Sequence, residues 1–372
     1  MESILPEGSK KLGFGCMRLP MENEKIDMAE MIRMVDAYLD AGFCYFDTAF
    51  GYHGGASETS LKEALVARYP RERFLLADKM PVWRVGQGEK TEDLFATQLE
   101  RTGAGYFDLY LLHALSKESN VTAEKHGVWE YLTAQKTAGK IRHLGFSFHD
   151  TAAVLDDILT RHPEAEFVQL QLNYFDWESE SVQSRLCYET AQQHKKPVIV
   201  MEPVRGGSLA VLPEKVRQNF LAASKEASMA SWALRFAASL PGVMMVLSGM
   251  SKKEQMTDNL KTFSDFLPLT QTERELCFSA AKQLREIPTI PCTGCAYCTE
   301  DCPQSIAIPK ILRALNNYAT FGNLDTAKQN YRMAVKDKGA ASDCIGCGAC
   351  SARCPQHIAV PEKMQQAALL FE

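Results

Sequence analysis

Tyr45-Phe46-Asp47-Thr48-Ala49-Phe50-Gly51-Tyr52 is the stretch from which the chain is read. An apolar run ends in a carboxylate, and a phenol follows five residues later in a glycine-flanked turn. Phe74-Leu75-Leu76-Ala77-Asp78-Lys79 and Leu109-Tyr110-Leu111-Leu112-His113 end the same way. Each run is short and continuously apolar, as a strand buried on both faces of a parallel sheet must be. Asp47, Tyr52, Lys79 and His113 thus stand at successive strand tips, and together they are groups that hold and move protons. Between the first strands, Met28, Met31, Ile32, Val35 and Leu39 recur at helical spacing, and Gly42 is a suitable stop. Strands are expected to begin near Leu12, Phe43, Phe74, Leu109, His143, Phe167, Val198 and Val243, with amphipathic segments between them. Eight such alternations predict an α/β fold, a parallel (β/α)8 TIM barrel. A doubly wound open sheet has the same period, but the barrel brings the ionisable tips to one mouth.

The chain has 372 residues, 46% of them hydrophobic, and a formal net charge of −5. That charge gives no reason to expect nucleic acid or an anionic membrane as partner. The start, Met1 to Gly8, shows no basic and apolar export pattern, and no apolar stretch approaches the ~20 residues of a membrane helix. A cytoplasmic location is expected. Of twelve cysteines, Cys16, Cys44, Cys187 and Cys277 are scattered and read as small buried hydrophobes. The other eight form two runs beyond the prolines of Ile287-Pro288-Thr289-Ile290-Pro291, where the spacing predicts a boundary between residues 1–285 and 286–372. Cys292-x-x-Cys295-x-x-Cys298-x-x-x-Cys302-Pro303 returns as Cys344-x-x-Cys347-x-x-Cys350-x-x-x-Cys354-Pro355. This is the bacterial iron–sulfur run, in which the fourth cysteine serves the other cluster; structural zinc is the alternative for Cys-x-x-Cys pairs alone. The 41 residues between the runs carry helical spacing at Ile311, Leu312 and Leu315 and again at Tyr331 and Val335.

On Asp47, Tyr52, Lys79 and His113 the chain resembles an aldo/keto reductase, with these four on the family's catalytic tetrad. The tail resembles a two-[4Fe–4S] ferredoxin, more helical than the minimal fold. The ferredoxin rule assigns Cys292, Cys295, Cys298 and Cys354 to one cluster and Cys344, Cys347, Cys350 and Cys302 to the other. The reductase resemblance runs from Leu12 to Asn259. Ser57-Glu58 and Ala64-Leu65 resemble the family's second helix. Ser147 resembles the serine that bonds a nicotinamide carboxamide, and Gln169, with Asn173 four residues on, resembles the amide-binding strand. The segment Glu202 to Gly207, with Arg205, occupies the loop beneath the pyrophosphate. Ser248, Gly249 and Ser251, leading through Gln255 to Asn259, resemble the loop that holds the adenosine end.

The resemblance implies reduction of a small-molecule carbonyl (aldehyde, ketone or sugar) with hydride from NAD(P)H, Tyr52 giving the proton. Lys79 is expected to favour the phenolate, and Asp47 to keep Lys79 charged and in place. The departures are Phe148 where an asparagine is usual, with His149 as its substitute; Met201 for the aromatic that stacks on nicotinamide; Glu202 for a serine near the phosphates, to be neutralised by Arg205 or Lys252; and Gln255 for an arginine that grips a 2′-phosphate. They leave room for a second reading, a redox-sensing or electron-carrying protein whose barrel binds nucleotide without significant turnover. Clusters serving only as structural staples, or docking a redox partner protein, are further options. No Gly-x-Gly-x-x-Gly opens a helix after a strand, so no flavin site is read. Substrate choice is expected to reside in the loops at residues 81–90 and 116–125.

Overall fold

The computed structural model describes residues 4–300 and 302–372; Met1–Ser3, part of the start read for an export pattern, lie outside the described residues. Contacts divide the chain into two compact units, Met1–Pro203 with Ser231–Gln271 and Val204–Ala230 with Thr272–Glu372. The boundary read at residue 285 follows the prolines; the contact division follows packing, which draws Val204–Ala230 and the helix Gln271–Arg285, apart from its first residue, to the second unit.

In the first unit, eight strands close into a parallel barrel: β1 (Leu12–Gly15), β2 (Tyr45–Asp47), β3 (Leu75–Met80), β4 (Phe107–Leu115), β5 (Ile141–Phe148), β6 (Phe167–Gln171), β7 (Val198–Met201) and β8 (Val243–Gly249). Each pairs with its sequence neighbours, and β8 returns to β1. The interior is an apolar layer of Tyr45, Ala77, Leu109, Leu111, Phe167, Ile199, Met245 and Leu247. Because strand side chains alternate with period two, the residues two places further on share that inner face: Asp47, Lys79, His113, Gln169 and Met201. The polar set is therefore the next layer up, at the C-terminal mouth where barrel enzymes carry their chemistry. Filling is tight enough to demand glycine at two inward positions. A Cβ on Gly13 would lie 2.6 Å from Leu247, and one on Gly145 would lie 2.5 Å from the Phe167 carbonyl.

The helix Met28–Asp40 shows how the outer ring is made. Asp27 accepts from the Glu30 N–H at 2.9 Å as its cap, Met31, Met34, Val35, Tyr38 and Leu39 are buried, and Gly42 takes φ +79° just past its end. Two stretches read as loops are partly helical, Val82–Gly86 and Lys117–Lys125; Ser116 and Ser119 cap the latter reciprocally. Among the described residues no helix is long and apolar enough to cross a membrane.

The second unit is mainly helical. Ile308–Phe321, Leu324–Val335 and Val360–Phe371 pack around Ile311, Leu312, Leu315, Tyr331, Met364 and Phe371. The doubled sequence has a doubled structure. Ile306 with Ile308, and Ile358 with Val360, are buried after each cysteine run, and Pro309 and Pro361 each sit in the first turn of the helix that follows.

Candidate active site and cysteine-lined cavities

Lys79 is the centre of the barrel mouth. Its ammonium donates to Asp47 Oδ1 at 2.6 Å, to the Thr48 carbonyl at 2.7 Å and to the Tyr52 hydroxyl at 3.4 Å. The Lys79 side chain is 1% exposed and that of Asp47 2%, so each ion is held by the other. Gln169 Nε2 donates to Asp47 Oδ2 at 3.1 Å. Burial by itself would lower the Lys79 pKa, but the Asp47 carboxylate, then Tyr52, reverse this and raise it above the ordinary lysine value. An ammonium only donates. The Tyr52 oxygen therefore accepts from Lys79 and its own proton is left to point elsewhere.

The expectation that Lys79 favours the phenolate is met only in part. Lys79 does pull the Tyr52 pKa down, but burial pushes it up more strongly, and the net shift is upward. The phenol is protonated at neutral pH, as a proton donor must be. The His113 ring lies 6.0 Å from that of Tyr52 and 5.1 Å from that of Trp83. Burial first, then the Lys79 charge and His149, hold His113 well below the usual histidine pKa. It is neutral, and among the described residues its buried Nδ1 has no hydrogen-bond partner.

Around this core, the Ser147 hydroxyl accepts from the Ala114 N–H at 2.7 Å and keeps its own proton to give. Ala114 is in the left-handed region, φ +55°. Phe148 is buried against Phe146, and the His149 N–H donates to the Leu115 carbonyl at 2.9 Å. Asn173 donates to Asp176 at 3.0 Å and to the Glu202 carbonyl at 3.1 Å. Ser248 accepts from Asn259 Nδ2 at 2.9 Å, and the Ser251 N–H donates to Gln255 Oε1 at 2.8 Å. Gln255 thus closes its own helix entry.

Two further expectations are corrected. Glu202, held at φ +56°, is paired with Arg18 at 3.7 Å. Arg205 belongs to the second unit, where its guanidinium lies 5.2 Å from the Phe321 ring centroid. Arg18 was missed in the sequence, although a basic residue three places after the first strand is itself a tip residue. It lies against Gly249, its carbonyl accepts from Ser251 Oγ at 2.9 Å, and among the described residues its buried Nε has no partner. Cys16, Cys187 and Cys277 are buried and Cys44 is half-buried. Burial and the Asp47 carboxylate raise the Cys16 pKa, so its thiol is inert.

In the second unit the eight tail cysteines line two cavities. Cys292, Cys295, Cys298 and Cys354 meet in one; Cys302, Cys344, Cys347 and Cys350 meet in the other. The rest of each lining is mainly apolar, including Ile358 in the first and Met364 in the second. Among the described residues no group of three or more His, Cys, Asp or Glu is set to hold a single metal ion. Four thiols lining one mainly apolar cavity, drawn from both runs, suit a multi-atom cluster better than one zinc.

Fold and mouth together define a (β/α)8 barrel oxidoreductase with a separate cysteine-lined unit. The description Aldo/keto reductase family matches residues 11–281, and 4Fe-4S dicluster domain matches residues 291–359. The chain belongs to the aldo/keto reductase family. It is 26% identical over 303 residues to the uncharacterized oxidoreductase YqkF of Bacillus subtilis, covering 73% of this chain and 93% of that one. It is 25% identical over 268 residues to the NADH-specific methylglyoxal reductase of Escherichia coli, covering 61% and 81%. The holo form of an aldo-keto reductase from Bacillus halodurans superposes with TM-score 0.59 at 26% identity, covering 73% and 91%. An aldo-keto reductase from Klebsiella pneumoniae in complex with NADPH superposes with TM-score 0.57 at 20% identity, covering 72% and 90%.

Proposed function

We propose that the protein reduces the carbonyl of a small molecule in the barrel mouth, with Tyr52 as proton donor, and carries two [4Fe–4S] clusters in its tail. The observation that carries the reading is the Lys79 ammonium, shared between the buried Asp47 carboxylate and the Tyr52 hydroxyl. Lys79 stabilises the phenolate that forms as the proton leaves, and Asp47 keeps Lys79 charged in a place where burial alone would discharge it. Neutral His113 offers the carbonyl oxygen a hydrogen bond without competing as an acid. NAD(P)H supplies the hydride. Ser147, with its proton free, and the Nε of Arg18, without a partner among the described residues, are polar points that suit a nicotinamide dinucleotide; Gln169, Met201, Glu202, Ser248, Gly249, Ser251, Gln255 and Asn259 complete the proposed binding set. Gln255, occupied with the Ser251 N–H, gives no grip on a 2′-phosphate, and the relatives named above include both an NADH-specific enzyme and an NADPH complex. Both nucleotides therefore stay in the reading.

The reading places the barrel in residues 1–285 and the cluster domain in 286–372 of a cytoplasmic protein, with the clusters passing electrons to or from a redox partner. Tyr52→Phe tests the barrel half, since the ring stays and only the donor leaves. Carbonyl reduction is expected to fall by about two orders of magnitude or more, with nucleotide binding retained. A variant with near-normal kcat would remove Tyr52 from this account. The second reading, a redox-sensing or electron-carrying protein, draws on Met201 and Glu202. It predicts nucleotide binding without turnover across a panel of aldehydes and sugars.

A further inference from the structure

Resting on the carbonyl-reductase reading above, we infer that the substrate carries an anionic end, a carboxylate or phosphate, bound by Arg84 and Arg101 in a groove beside the tetrad. The groove is an open cleft lined by Phe50, Gly51, Gly54, Trp83, Arg84 and Arg101. It presents two guanidinium groups and two aromatic rings, and the cleft that continues past Phe50, Arg84 and Arg101 is lined also by Glu89, Lys90 and Asp93. The Phe50 ring has the Arg101 Cζ 4.6 Å from its centroid and the Arg84 Cζ at 5.8 Å. The charges are thus placed by a rigid apolar surface.

The groove adjoins the reacting groups across Trp83. Trp83 is 43% exposed, its ring lies 5.1 Å from that of His113, and its edge would be 3.9 Å from a Cβ on Gly51, the residue before Tyr52. One tryptophan therefore separates the carbonyl position from the arginines. The groove lies on the β2–β3 side of the mouth. Ser147, Gln169, Met201 and Ser248, proposed for the dinucleotide, stand on β5, β6, β7 and β8. Its positive charge is not placed for the cofactor phosphates.

Both arginines are anchored and neither is used up. Arg101 donates one amino group to buried Glu58 at 3.0 Å, and packs where a Cβ on Gly55 would stand at 3.1 Å. Gly55 has φ +95°, so that position resists any side chain. Arg84 spends its Nε on Glu89. A guanidinium has five donors in a fixed fork, so each retains N–H groups for a ligand. A pair of such forks beside an aromatic wall binds carboxylate or phosphate strongly and does little for a neutral chain end.

The test compares matched probes, 4-oxobutanoate against butanal and glyceraldehyde 3-phosphate against glyceraldehyde, by kcat/KM. The anionic member of at least one pair is expected to be preferred by about tenfold or more, and the pair that shows it tells carboxylate from phosphate. In Arg84→Gln that ratio should fall by about tenfold, and Arg84→Lys should restore part of it. A ratio near one in the native protein, or a high ratio unchanged in Arg84→Gln, overturns the inference. If neither member of any pair is reduced, the carbonyl-reductase reading fails and the groove is decided by binding. Succinate and inorganic phosphate, which have no reducible carbonyl, are titrated while tryptophan emission is followed, with Trp83→Phe identifying the signal. Quenching that Arg84→Gln abolishes sustains the anion site, and no response to either ion removes it.

Discussion

A lysine side chain with 1% exposure keeps its charge only where the protein replaces the lost water, and Lys79 receives Asp47 Oδ1, the Thr48 carbonyl and the Tyr52 hydroxyl in return. Removing one partner of such a buried pair leaves the other charge uncompensated, at a cost of about 3–5 kcal/mol. Lys79→Met alone should therefore be strongly destabilised, and adding Asp47→Asn should recover most of that stability in chemical denaturation. Activity should not return. Without Lys79, burial acts on Tyr52 unopposed by any ammonium, so its pKa should rise further. Carbonyl reduction should then fall by about two orders of magnitude, and the pH at which alcohol oxidation switches on should move upward. A double variant that is stable, active and unshifted would show that Lys79 only fills space. At this scale the sequence was informative wherever an ionisable residue ends an apolar run, as Asp47, Lys79 and His113 do. It was silent where a role depends on packing. Arg18 meets Glu202, and Trp83 meets His113, across loops whose course no spacing encodes.

The strands were legible because a strand buried on both faces is simply a short apolar run, and eight runs alternating with helical spacing leave few topologies. The starts differ by about two residues, Tyr45 for Phe43 and Ile141 for His143, since apolar residues just outside a strand look like those inside it. The short helices Val82–Gly86 and Lys117–Lys125 were hidden because exposed turns of helix need little apolar spacing. The grouping of Val204–Ala230 with the tail comes from long-range packing alone. The closed end of the barrel has a device of its own. Glu166, at the entry to β6, is bonded to His143 Nδ1 at 3.0 Å in β5, to the Leu144 N–H at 2.8 Å and to Lys136 Nζ at 2.6 Å on the helix Val128–Thr137. Burial would raise its pKa, but these partners lower it to about 2. A carboxyl depressed in the folded state stabilises above its unfolded value, near ~4.3, and that stability is lost as the pH falls through about 2. Glu166→Gln should lower the melting temperature at neutral pH and leave it nearly unchanged at the acid end. Equal destabilisation at both ends would assign the effect to packing.

Across the whole molecule, the proposed function puts two kinds of electron traffic in one chain. Nicotinamide chemistry moves a hydride, two electrons together, whereas an iron–sulfur cluster passes electrons singly, and no flavin motif to join them is present in the sequence. The integrity of each proposed cluster can be tested apart from the barrel. The ligand sets cross. Cys302 lines the cavity of Cys344, Cys347 and Cys350, and Cys354 lines that of Cys292, Cys295 and Cys298, so each cavity draws on both copies of the repeat. Anaerobically purified protein is expected to hold about eight iron and eight sulfide per chain, and Cys302→Ser or Cys344→Ser about half as much. Because those two residues belong to one cavity, the cluster that survives should give the same paramagnetic resonance spectrum in both variants. Cys354→Ser and Cys295→Ser should share a different one. Spectra that group Cys302 with Cys295 would mean that each run holds its own cluster, and zinc without sulfide would remove the clusters altogether. The pairing has a consequence for folding. Loss of one ligand disturbs a cavity wall supplied by the other repeat, so each single variant should also loosen the helices Ile308–Phe321 and Val360–Phe371, whose Ile308 and Met364 line the Cys302 cavity. Hydrogen exchange confined to the substituted run would show that the repeats fold independently.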